Sequence, residues 1–355
     1  MENYYYEKLT KEQRIFYQDL CEGLRHRADK VPAPPGLKRN AFLTAIDAVL
    51  LDHPEFWYVD LHRRRISTNG TRDTLVVRYH DDETTVRRKQ QTIDRFTDRV
   101  VKAMRRDHCD SVYKKCLWLH NMMVRHCTYD HDAVGHSEEK YAAYSMEGFF
   151  LAHRAVCSGI AMAYRYLCGN VGVDAVVVEG YALEPGKKDY GGHAWDLIRC
   201  GDTCAQIDVT WDMELSKGKP HIRFDYFLLP DIEMMRDHQY VGYPMCRRGG
   251  YSYFEKVSGI VPDNGDPSAY FRTAVQQAVM DHKENSAAVY FKMANKHFTR
   301  EQVSELVSAQ FRSLITGTYT LYSSYNDAQS VFYFRAELAP GSRFQAVKGK
   351  KADAH

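Results

Sequence analysis

Length, composition and charge exclude several classes of protein before any motif is considered. The chain has 355 residues, of which 44% are hydrophobic and 26% charged, and 48 Lys and Arg against 46 Asp and Glu give a net charge of +2. So small a net charge creates no field that would draw the molecule to nucleic acid or to an anionic membrane. No segment approaches the roughly 18 consecutive apolar residues of a membrane span. We therefore expect a folded protein of about two domains, with neither nucleic acid nor a membrane as a partner.

The first residues and the cysteines bear on location and on metal binding. The first eight residues contain no apolar stretch of the length that a signal peptide needs, so the expected location is cytoplasmic. The nine cysteines are odd in number and scattered, which is not the pattern of a disulfide framework, so most should be reduced and buried. Cys200 and Cys204 have no second Cys pair or His pair at zinc-binding spacing, so no metal site is predicted.

Residues 1–104 are predicted to form a mostly helical N-terminal region. Apolar residues recur at helical spacing from Leu43 onward, and Pro54 should end that helix. An alternating stretch predicts a strand over residues 74–79. A charged segment with apolar residues at helical spacing predicts an amphipathic helix over residues 81–102.

The central region, residues 105–245, combines helices with consecutive strands. One helix is predicted over residues 111–129, and between residues 156 and 173 apolar positions trace the face of a second helix. Three strands with short turns follow, at 175–183, 192–200 and 205–211. This order predicts an α+β fold, in which the second helix packs on an antiparallel sheet.

Residues 246–355 are predicted to be a C-terminal extension or a small domain of mixed structure. Helical patterns cover residues 269–283 and 298–310, and β-prone residues cover 318–322 and 331–337. The order of these elements does not decide between an extension and a separate domain. The chain contains no internal repeat and no low-complexity segment.

Cys157 lies where the second central helix is predicted to begin, and that position suits a reactive thiol. A nucleophilic cysteine must be a thiolate at working pH, and a helix N-terminus or a nearby imidazolium lowers a thiol pKa from about 8.5. Ser158 and Gly159 follow Cys157, and the small glycine is expected to let a substrate backbone come close. Cys157 is therefore a candidate nucleophile, which needs a histidine base and a carboxylate that orients the histidine.

The predicted hairpin after Cys200 offers such a pair. If a tight turn is centred between Cys200 and Gly201, His193 lies opposite Asp208, and directly opposed side chains share one face of the sheet. The Nδ1–H of His193 could then meet the carboxylate, with Nε2 turned toward Cys157. A four-residue loop would instead place His193 opposite Asp212 and keep Asp208 on the same face. Both carboxylates therefore remain candidates for the orienting group.

Three segments of the chain resemble the blocks of the transglutaminase-like superfamily. They are HRAVCSGIA at residues 153–161, GHAWD at 192–196 and IDVTWD at 207–212. Their order and spacing are similar as well. The resemblance implies a papain-like fold with Cys157 as the nucleophile and His193 as the base. It also favours Asp208 over Asp212 as the orienting carboxylate.

The resemblance extends beyond these blocks, with some departures. The core similarity covers roughly residues 105–245, and further segments resemble the bacterial branch of the superfamily, at residues 4–6, 52–57, 224–227 and 237–238. The family often has Gln, Tyr and Asn where this chain has Ser158, Ile160 and Asp196. These departures leave the triad intact, but they bear on substrate specificity.

Acyl transfer also needs donors for the oxyanion of the tetrahedral intermediate. The backbone N–H of Cys157 is the natural first donor, and Tyr144, upstream of Cys157, is a candidate for the second. Trp195 is a candidate cleft wall or substrate contact. His238 is interpreted as a residue with a structural hydrogen bond.

The predicted reaction is acyl transfer or hydrolysis on a protein or peptide amide through a thioester. An amine acceptor would make the protein a transglutaminase and water would make it a peptidase or amidase, and the residues do not separate these. No cofactor is required, and no acidic loop suggests calcium. The alternative is a catalytically inactive transglutaminase-like scaffold that binds protein partners, whereas a cell-wall amidase would require export. No oligomeric state is predicted.

Overall fold

Two units make up the structure, residues 1–251 and residues 252–355. The computed structural model describes residues 3–60, 65–69, 72–262, 266–282, 284–294 and 297–346. Within these ranges no helix has both the length and the apolar surface that crossing a bilayer requires. The division into residues 1–104, 105–245 and 246–355 stays a prediction.

The first part of the first unit is largely helical, as predicted, with one small sheet. Its elements are α1 (Tyr4–Glu7), α2 (Lys11–Arg25), β1 (Lys30–Pro32), α3 (Arg39–Asp52), β2 (Arg65–Asn69), β3 (Arg72–Val76) and α4 (Glu83–Arg106). The sheet is antiparallel, in the order β1-β3-β2. α3 ends before Pro54, as predicted, and α4 is the predicted amphipathic helix, capped by Asp82. The strand predicted over 74–79 begins earlier and ends at Val76.

The rest of the first unit carries the α+β core. Its helices are α5 (Val112–His126), α6 (Cys157–Asn170), α7 (Val209–Ser216) and α8 (Asp231–Met234), with short turns of other helix types at Pro54–Phe56, His131–Ala133, Tyr141–Tyr144 and Gly148–Ala152. Its strands are β4 (Thr128–Tyr129), β5 (Arg154–Ala155), β6 (Ala175–Ala182), β7 (Gly191–Cys200), β8 (Thr203–Ile207) and β9 (His238–Gln239). Four strands form one antiparallel sheet in the order β8-β7-β6-β9, and α6 packs on β6 and β7. The predicted fold class is confirmed.

The hairpin that joins β7 and β8 differs from both predicted registers. Its turn contains only Gly201 and Asp202, and it pairs Cys200 with Thr203. Gly201 adopts a φ of 67°, which glycine accepts readily at the first position of a two-residue turn. The predicted third strand also stops early, because Asp208 serves as the N-cap of α7, a position for which Asp is strongly preferred.

The second unit, residues 252–355, combines helices with a four-stranded sheet. Its elements are α9 (Tyr253–Lys256), β10 (Ile260–Val261), α10 (Ser268–Met280), β11 (Ser286–Met293), α11 (Arg300–Leu314), β12 (Ile315–Thr316), β13 (Tyr319–Asn326), β14 (Val331–Leu338) and β15 (Arg343–Phe344). The sheet order is β10-β11-β14-β13. Both predicted helices and both predicted strands are present, although Lys283 at the predicted end of the first helix lies outside the described residues. β11 was not predicted, since its alanine-rich start favours no strand.

Candidate active site

The segment before α6 fixes where the Cys157 thiol lies. Cys157 is the first residue of α6, as predicted, and the preceding residue, Val156, donates its backbone N–H to the Ala143 carbonyl at 2.9 Å. A Cβ atom on Gly159 would lie 2.4 Å from the Ala143 carbonyl oxygen and 2.7 Å from that of Ser145. Glycine is therefore required here because the chain's own segment passes so close. The expectation that Gly159 makes room for a substrate backbone was wrong.

The partly buried Cys157 thiol lies beside two hydrogen-bond donors from β7. These are the imidazole of His193 and the backbone N–H of Ala194. Burial alone would raise the pKa of the thiol. The hydrogen bond and positive charge of His193, together with the Ala194 N–H, outweigh burial and hold the pKa of Cys157 below its ordinary value. This environment favours the thiolate.

His193 bridges the thiol and a buried carboxylate. Its Nε2 lies 2.6 Å from Oδ2 of Asp208, and its side chain is only 9% exposed. Burial would lower the pKa of His193, but the charge and hydrogen bond of Asp208 and the neighbouring Cys157 raise it to about 10. The ring orientation is the reverse of the prediction, because Nε2 faces the carboxylate and Nδ1 is left for the thiol.

Asp208 reaches His193 from the N-terminus of α7 and not from a strand. Its Oδ1 accepts the backbone N–H of Trp211 at 3.0 Å, which leaves Oδ2 for His193. Burial would raise the pKa of Asp208, but the charges and hydrogen bonds of His193 and His238 hold it well below its ordinary value. The carboxylate is therefore ionised, although it is completely buried.

Asp212, the rival carboxylate, lies one turn further along α7 and orients a different histidine. Its Oδ2 lies 3.0 Å from Nε2 of His120, and its Oδ1 accepts the backbone N–H of Tyr226 at 3.1 Å. Both His120 and Asp212 are completely buried. Burial, with the nearby charge of Asp225, raises the pKa of Asp212 well above its ordinary value. The structure therefore brings Asp208, and not Asp212, to His193.

A second imidazole lies on the far side of Asp208. His238, at the start of β9, places Nε2 at 3.2 Å from Oδ2 of Asp208 and Nδ1 at 2.7 Å from Oδ1 of Asp237. The other oxygen of Asp237 accepts the Tyr226 hydroxyl at 2.6 Å. The sequence suggested a structural hydrogen bond for His238, but not that its acceptor is the orienting carboxylate. The one sequence signal for this contact was that Asp237 and His238 lie in a segment that resembles the bacterial branch of the superfamily.

The same groups could also be read as ligands of a metal ion. His193, Asp208 and His238 offer ligand atoms that all lie within 4.8 Å of one another. The spacings of 2.6 and 3.2 Å to Asp208 Oδ2 are those of direct hydrogen bonds. Since these bonds already occupy Oδ2 of Asp208, we interpret the cluster as a hydrogen-bonded network.

Two tryptophans surround the His193 ring. Trp195 is 1% exposed, stacks on His193 with ring centroids 5.8 Å apart, and donates its indole N–H to Gln206 Oε1 at 2.8 Å. Trp211 lies 5.6 Å from His193, with its ring tilted. The structure thus places Trp195 against the imidazole, and its predicted contact with a substrate stays a prediction.

Two tyrosines lie near the start of α6. The Tyr144 hydroxyl donates to the Ala133 carbonyl at 2.8 Å and accepts the Gly135 N–H at 3.1 Å, so it holds a neighbouring loop. Its proposed part in binding an oxyanion stays a prediction. Tyr129 was not singled out from the sequence. Burial raises the pKa of Tyr129, and the charge of nearby Cys157 adds to this effect.

The three departures from the family pattern are Ser158, Ile160 and Asp196. Ser158 donates its hydroxyl to the Tyr144 carbonyl at 3.2 Å, and Ile160 is 1% exposed in the core. Asp196 is buried on the face of β7 opposite to His193, and burial raises its pKa well above the ordinary value. A protonated carboxyl group resembles the amide of Asn in shape and in its ability to donate.

Comparison with protein families supports the resemblance. Residues 98–203 match the model of the transglutaminase-like superfamily. This span contains Cys157 and His193 and ends five residues before Asp208. The predicted recognition is therefore confirmed for this span. A comparison with curated proteins found no match.

Two solved structures are similar to parts of the chain. One is described as a TGase, with 14% identity and a TM-score of 0.30 over 55% of this chain and 53% of that protein. The other is a candidate cysteine protease from Cytophaga hutchinsonii, with 15% identity and a TM-score of 0.27 over 42% of this chain and 61% of that protein. The chain thus spans less than two thirds of either protein.

Proposed function

We propose that this chain, whose residues 98–203 form a transglutaminase-like superfamily domain, is a thiol-dependent enzyme that acts on amides of proteins or peptides. In this proposal Cys157 is the nucleophile, His193 the general base and acid, and Asp208 the orienting carboxylate. The observation that carries it is the 2.6 Å bond between His193 and buried Asp208, beside a Cys157 thiol whose pKa the His193 imidazole lowers.

The contacts support a two-step reaction. The thiolate of Cys157 attacks the amide carbonyl carbon, and the tetrahedral intermediate expels the nitrogen, which takes a proton from His193. A thioester remains on Cys157. His193, now neutral, accepts a proton from the incoming amine or water as that molecule attacks the thioester. The product is a new amide or a carboxylic acid, and the thiolate–imidazolium pair is restored.

The N-terminus of α6 supports stabilisation of the intermediate. The backbone N–H of Cys157 belongs to the first turn of α6, where no carbonyl of the same helix can accept it. It can therefore donate to an oxyanion bound beside the thiol. We propose Tyr144 for the second donor, a role in which its hydroxyl would exchange the bond to the Ala133 carbonyl for one to the oxyanion.

The first test is selective alkylation of Cys157 by iodoacetamide over a pH series, read by peptide mass spectrometry. Cys109 is an internal reference, because it is the other partly exposed cysteine and burial raises its pKa. We expect Cys157 to react well below the ordinary thiol pKa of about 8.5, and Cys109 only near or above it. In His193→Ala the low-pH reactivity of Cys157 should disappear.

The second test separates acyl transfer from hydrolysis. Wild type and Cys157→Ala are incubated with casein and a fluorescent primary amine, and amine incorporation is measured beside peptide cleavage. Incorporation that depends on Cys157 supports a transglutaminase, and cleavage alone supports a peptidase. If Cys157 reacts no faster than Cys109 at any pH, the enzyme proposal fails and the alternative of an inactive scaffold is favoured.

A further inference from the structure

Asp208 accepts hydrogen bonds from two imidazoles, and only one of them takes part in the proposed reaction. Oδ2 of Asp208 lies 2.6 Å from Nε2 of His193 and 3.2 Å from Nε2 of His238. Oδ1 is already occupied by the backbone N–H of Trp211. An ionised carboxylate only accepts hydrogen bonds, so both imidazoles must carry a proton on Nε2. The protonation of His238 is thus fixed at one nitrogen.

The other nitrogen of His238 also faces an acceptor. Nδ1 lies 2.7 Å from Oδ1 of Asp237, and Asp237 Oδ2 accepts the Tyr226 hydroxyl at 2.6 Å. A hydrogen bond between His238 and Asp237 therefore requires one further proton, shared by the two groups. This proton gives the His238–Asp237 pair no net charge. The pair can donate to Asp208 without adding a second uncompensated negative charge to the buried site.

His238 and Asp208 reach each other from different elements. His238 belongs to the edge strand β9, which pairs with β6, whereas Asp208 caps α7. The approach of β9 depends on Gly180, where a Cβ atom would lie 2.4 Å from the backbone oxygen of Gln239. Asp208 is therefore held both by its own helix and by a second, independent segment of the fold.

Three aromatic rings fix the orientation of the His238 imidazole. Trp211, Trp195 and Tyr226 lie at centroid distances of 4.5, 4.9 and 5.5 Å from it. His238 itself is completely buried. The titratable groups that contact it are Asp208 and Asp237 by hydrogen bonds, and Tyr226 and His193 by ring packing. The two hydrogen bonds and the ring contacts together favour the orientation in which Nε2 faces Asp208.

We infer that His238 is a positioning residue for the proposed reaction, which holds the Asp208 carboxylate toward His193, and that Asp237 and Tyr226 in turn fix the proton of His238. The inference rests on the proposed function and names a part of its machinery beyond the three triad residues. Without His238, Oδ2 of Asp208 loses one of two donors and a buried carboxylate becomes less well solvated. The imidazolium of His193, and with it the Cys157 thiolate, then loses support.

The test compares the pH profile of Cys157 alkylation in wild type, His238→Phe and His238→Gln. The Phe variant fills the aromatic slot but donates nothing, so its Cys157 profile should move upward by about one pH unit, a tenfold slower reaction at acidic pH. Gln can place an N–H near the position of Nε2, and it should restore most of the reactivity. With a substrate that the wild-type enzyme turns over, the kcat of His238→Phe should fall by a larger factor than its KM rises.

His120→Phe is the matched control. His120 is equally buried and also bonds an aspartate of α7, but that aspartate is Asp212. This variant can lose stability, yet its Cys157 profile should coincide with that of wild type. If His238→Phe does not fold, the Cys157 alkylation profile of Tyr226→Phe takes its place as the test. This substitution removes only the hydroxyl that contacts Asp237. It should shift the profile in the same direction by a smaller amount.

The outcomes separate the two proposals. A wild-type Cys157 that reacts like an ordinary thiol would overturn the proposed function. A wild-type profile at low pH that stays unchanged in His238→Phe, or in Tyr226→Phe if only that variant folds, would overturn the positioning role and leave the triad in place. Equal shifts in His238→Phe and His120→Phe would also overturn it, since they would reflect a general loss of structure.

Discussion

At the scale of single residues, the site depends on one carboxylate with two roles. Asp208 caps α7 through Oδ1 and orients His193 through Oδ2. Asn caps helices about as well as Asp, but its amide has only one acceptor oxygen. In Asp208→Asn, either the cap or His193 therefore loses its acceptor. We expect the free energy of unfolding to fall by about 1–2 kcal/mol, and Cys157 alkylation at acidic pH to slow by about tenfold or more.

Asp212→Asn is the control for this prediction, because it makes the same change one turn further along α7. Burial raises the pKa of Asp212 and so favours the protonated carboxyl group, for which the amide of Asn is a close replacement. Alkylation of Cys157 should keep the wild-type profile. If the two variants slowed alkylation equally, Asp208 would have no special relation to the thiol.

A second residue-scale prediction concerns the protons of the Cys157–His193 pair. In the folded protein the pKa of Cys157 lies below the ordinary thiol value of about 8.5, and the pKa of His193 lies near 10, above its ordinary 6.5. At pH values above both the lowered pKa of Cys157 and about 6.5, and below about 8.5, the folded pair is thiolate and imidazolium and the unfolded pair is thiol and neutral imidazole. Each state then holds one proton, so the contribution of the pair to stability does not change with pH. Above this window the unfolded thiol loses its proton, and the contribution declines as the pH rises.

Cys157→Ala should remove this plateau. Asp208 still raises the pKa of His193 in the variant, so above about pH 6.5 the folded state holds a proton that the unfolded state lacks. Stability should then decline with rising pH, by up to about 1.4 kcal/mol per pH unit. Urea unfolding of both proteins at matched pH values measures this. Parallel curves between the Cys157 pKa that the alkylation series measures and about pH 8.5 would contradict the thiolate–imidazolium assignment.

At the scale of secondary-structure elements, two glycines of α6 give a matched pair of substitutions. A Cβ atom on Gly159 would meet backbone oxygens at 2.4 and 2.7 Å, whereas Gly169 has open space around it. Gly159→Ala should lower the free energy of unfolding by about 1–3 kcal/mol. Gly169→Ala should raise it by up to about 1 kcal/mol, because alanine is the better helix former. Chemical denaturation of both variants is the measurement, and equal effects would argue against the close packing of α6 on residues 143–145.

The elements also show which parts of the site could be predicted from sequence. The apolar periodicity of α6 and the β-prone segments of β6 and β7 were sufficient to predict a helix on a sheet, with Cys157 at the helix start. The register of the β7–β8 hairpin could not be predicted, since it depends on which residues form the turn as well as on how many there are. β9 has only two residues and shows no alternation, so the position of His238 beside Asp208 could not be predicted.

At the scale of the whole molecule, the same limit follows from separation along the chain. Cys157, His193 and Asp208 could be grouped because each lies in a recognisable block, and the blocks resemble one family. The orientation of the His193 ring and the contacts of Tyr226 with Asp237 depend on where distant segments pack. Local sequence pattern carries no information on such packing. The orientation of the His193 ring and the position of the His238–Asp237 pair beside Asp208 could therefore be seen only in the structure.

The N-terminal helices are part of the unit that holds the site. Buried Arg165 on α6 donates to the backbone carbonyls of Leu51 at 3.0 Å and Asp52 at 2.7 Å. The Asp52 side chain accepts the backbone N–H groups of Tyr5 and Tyr6 at 3.2 and 2.9 Å. Removing the N-terminal region would leave a buried guanidinium without these acceptors, which is costly.

Two truncated chains test this whole-molecule prediction. Residues 1–251 and residues 252–355 each have hydrophobic cores of their own, so residues 1–251 should fold alone and keep the alkylation profile of Cys157. Residues 105–251 should not fold cooperatively, because Arg165 and α6 lose their partners on α3. Circular dichroism melting and the Cys157 alkylation series, both measured on residues 1–251 and on residues 105–251, test this prediction. If residues 105–251 melted cooperatively with the full-length Cys157 profile, the site would be independent of the N-terminal helices.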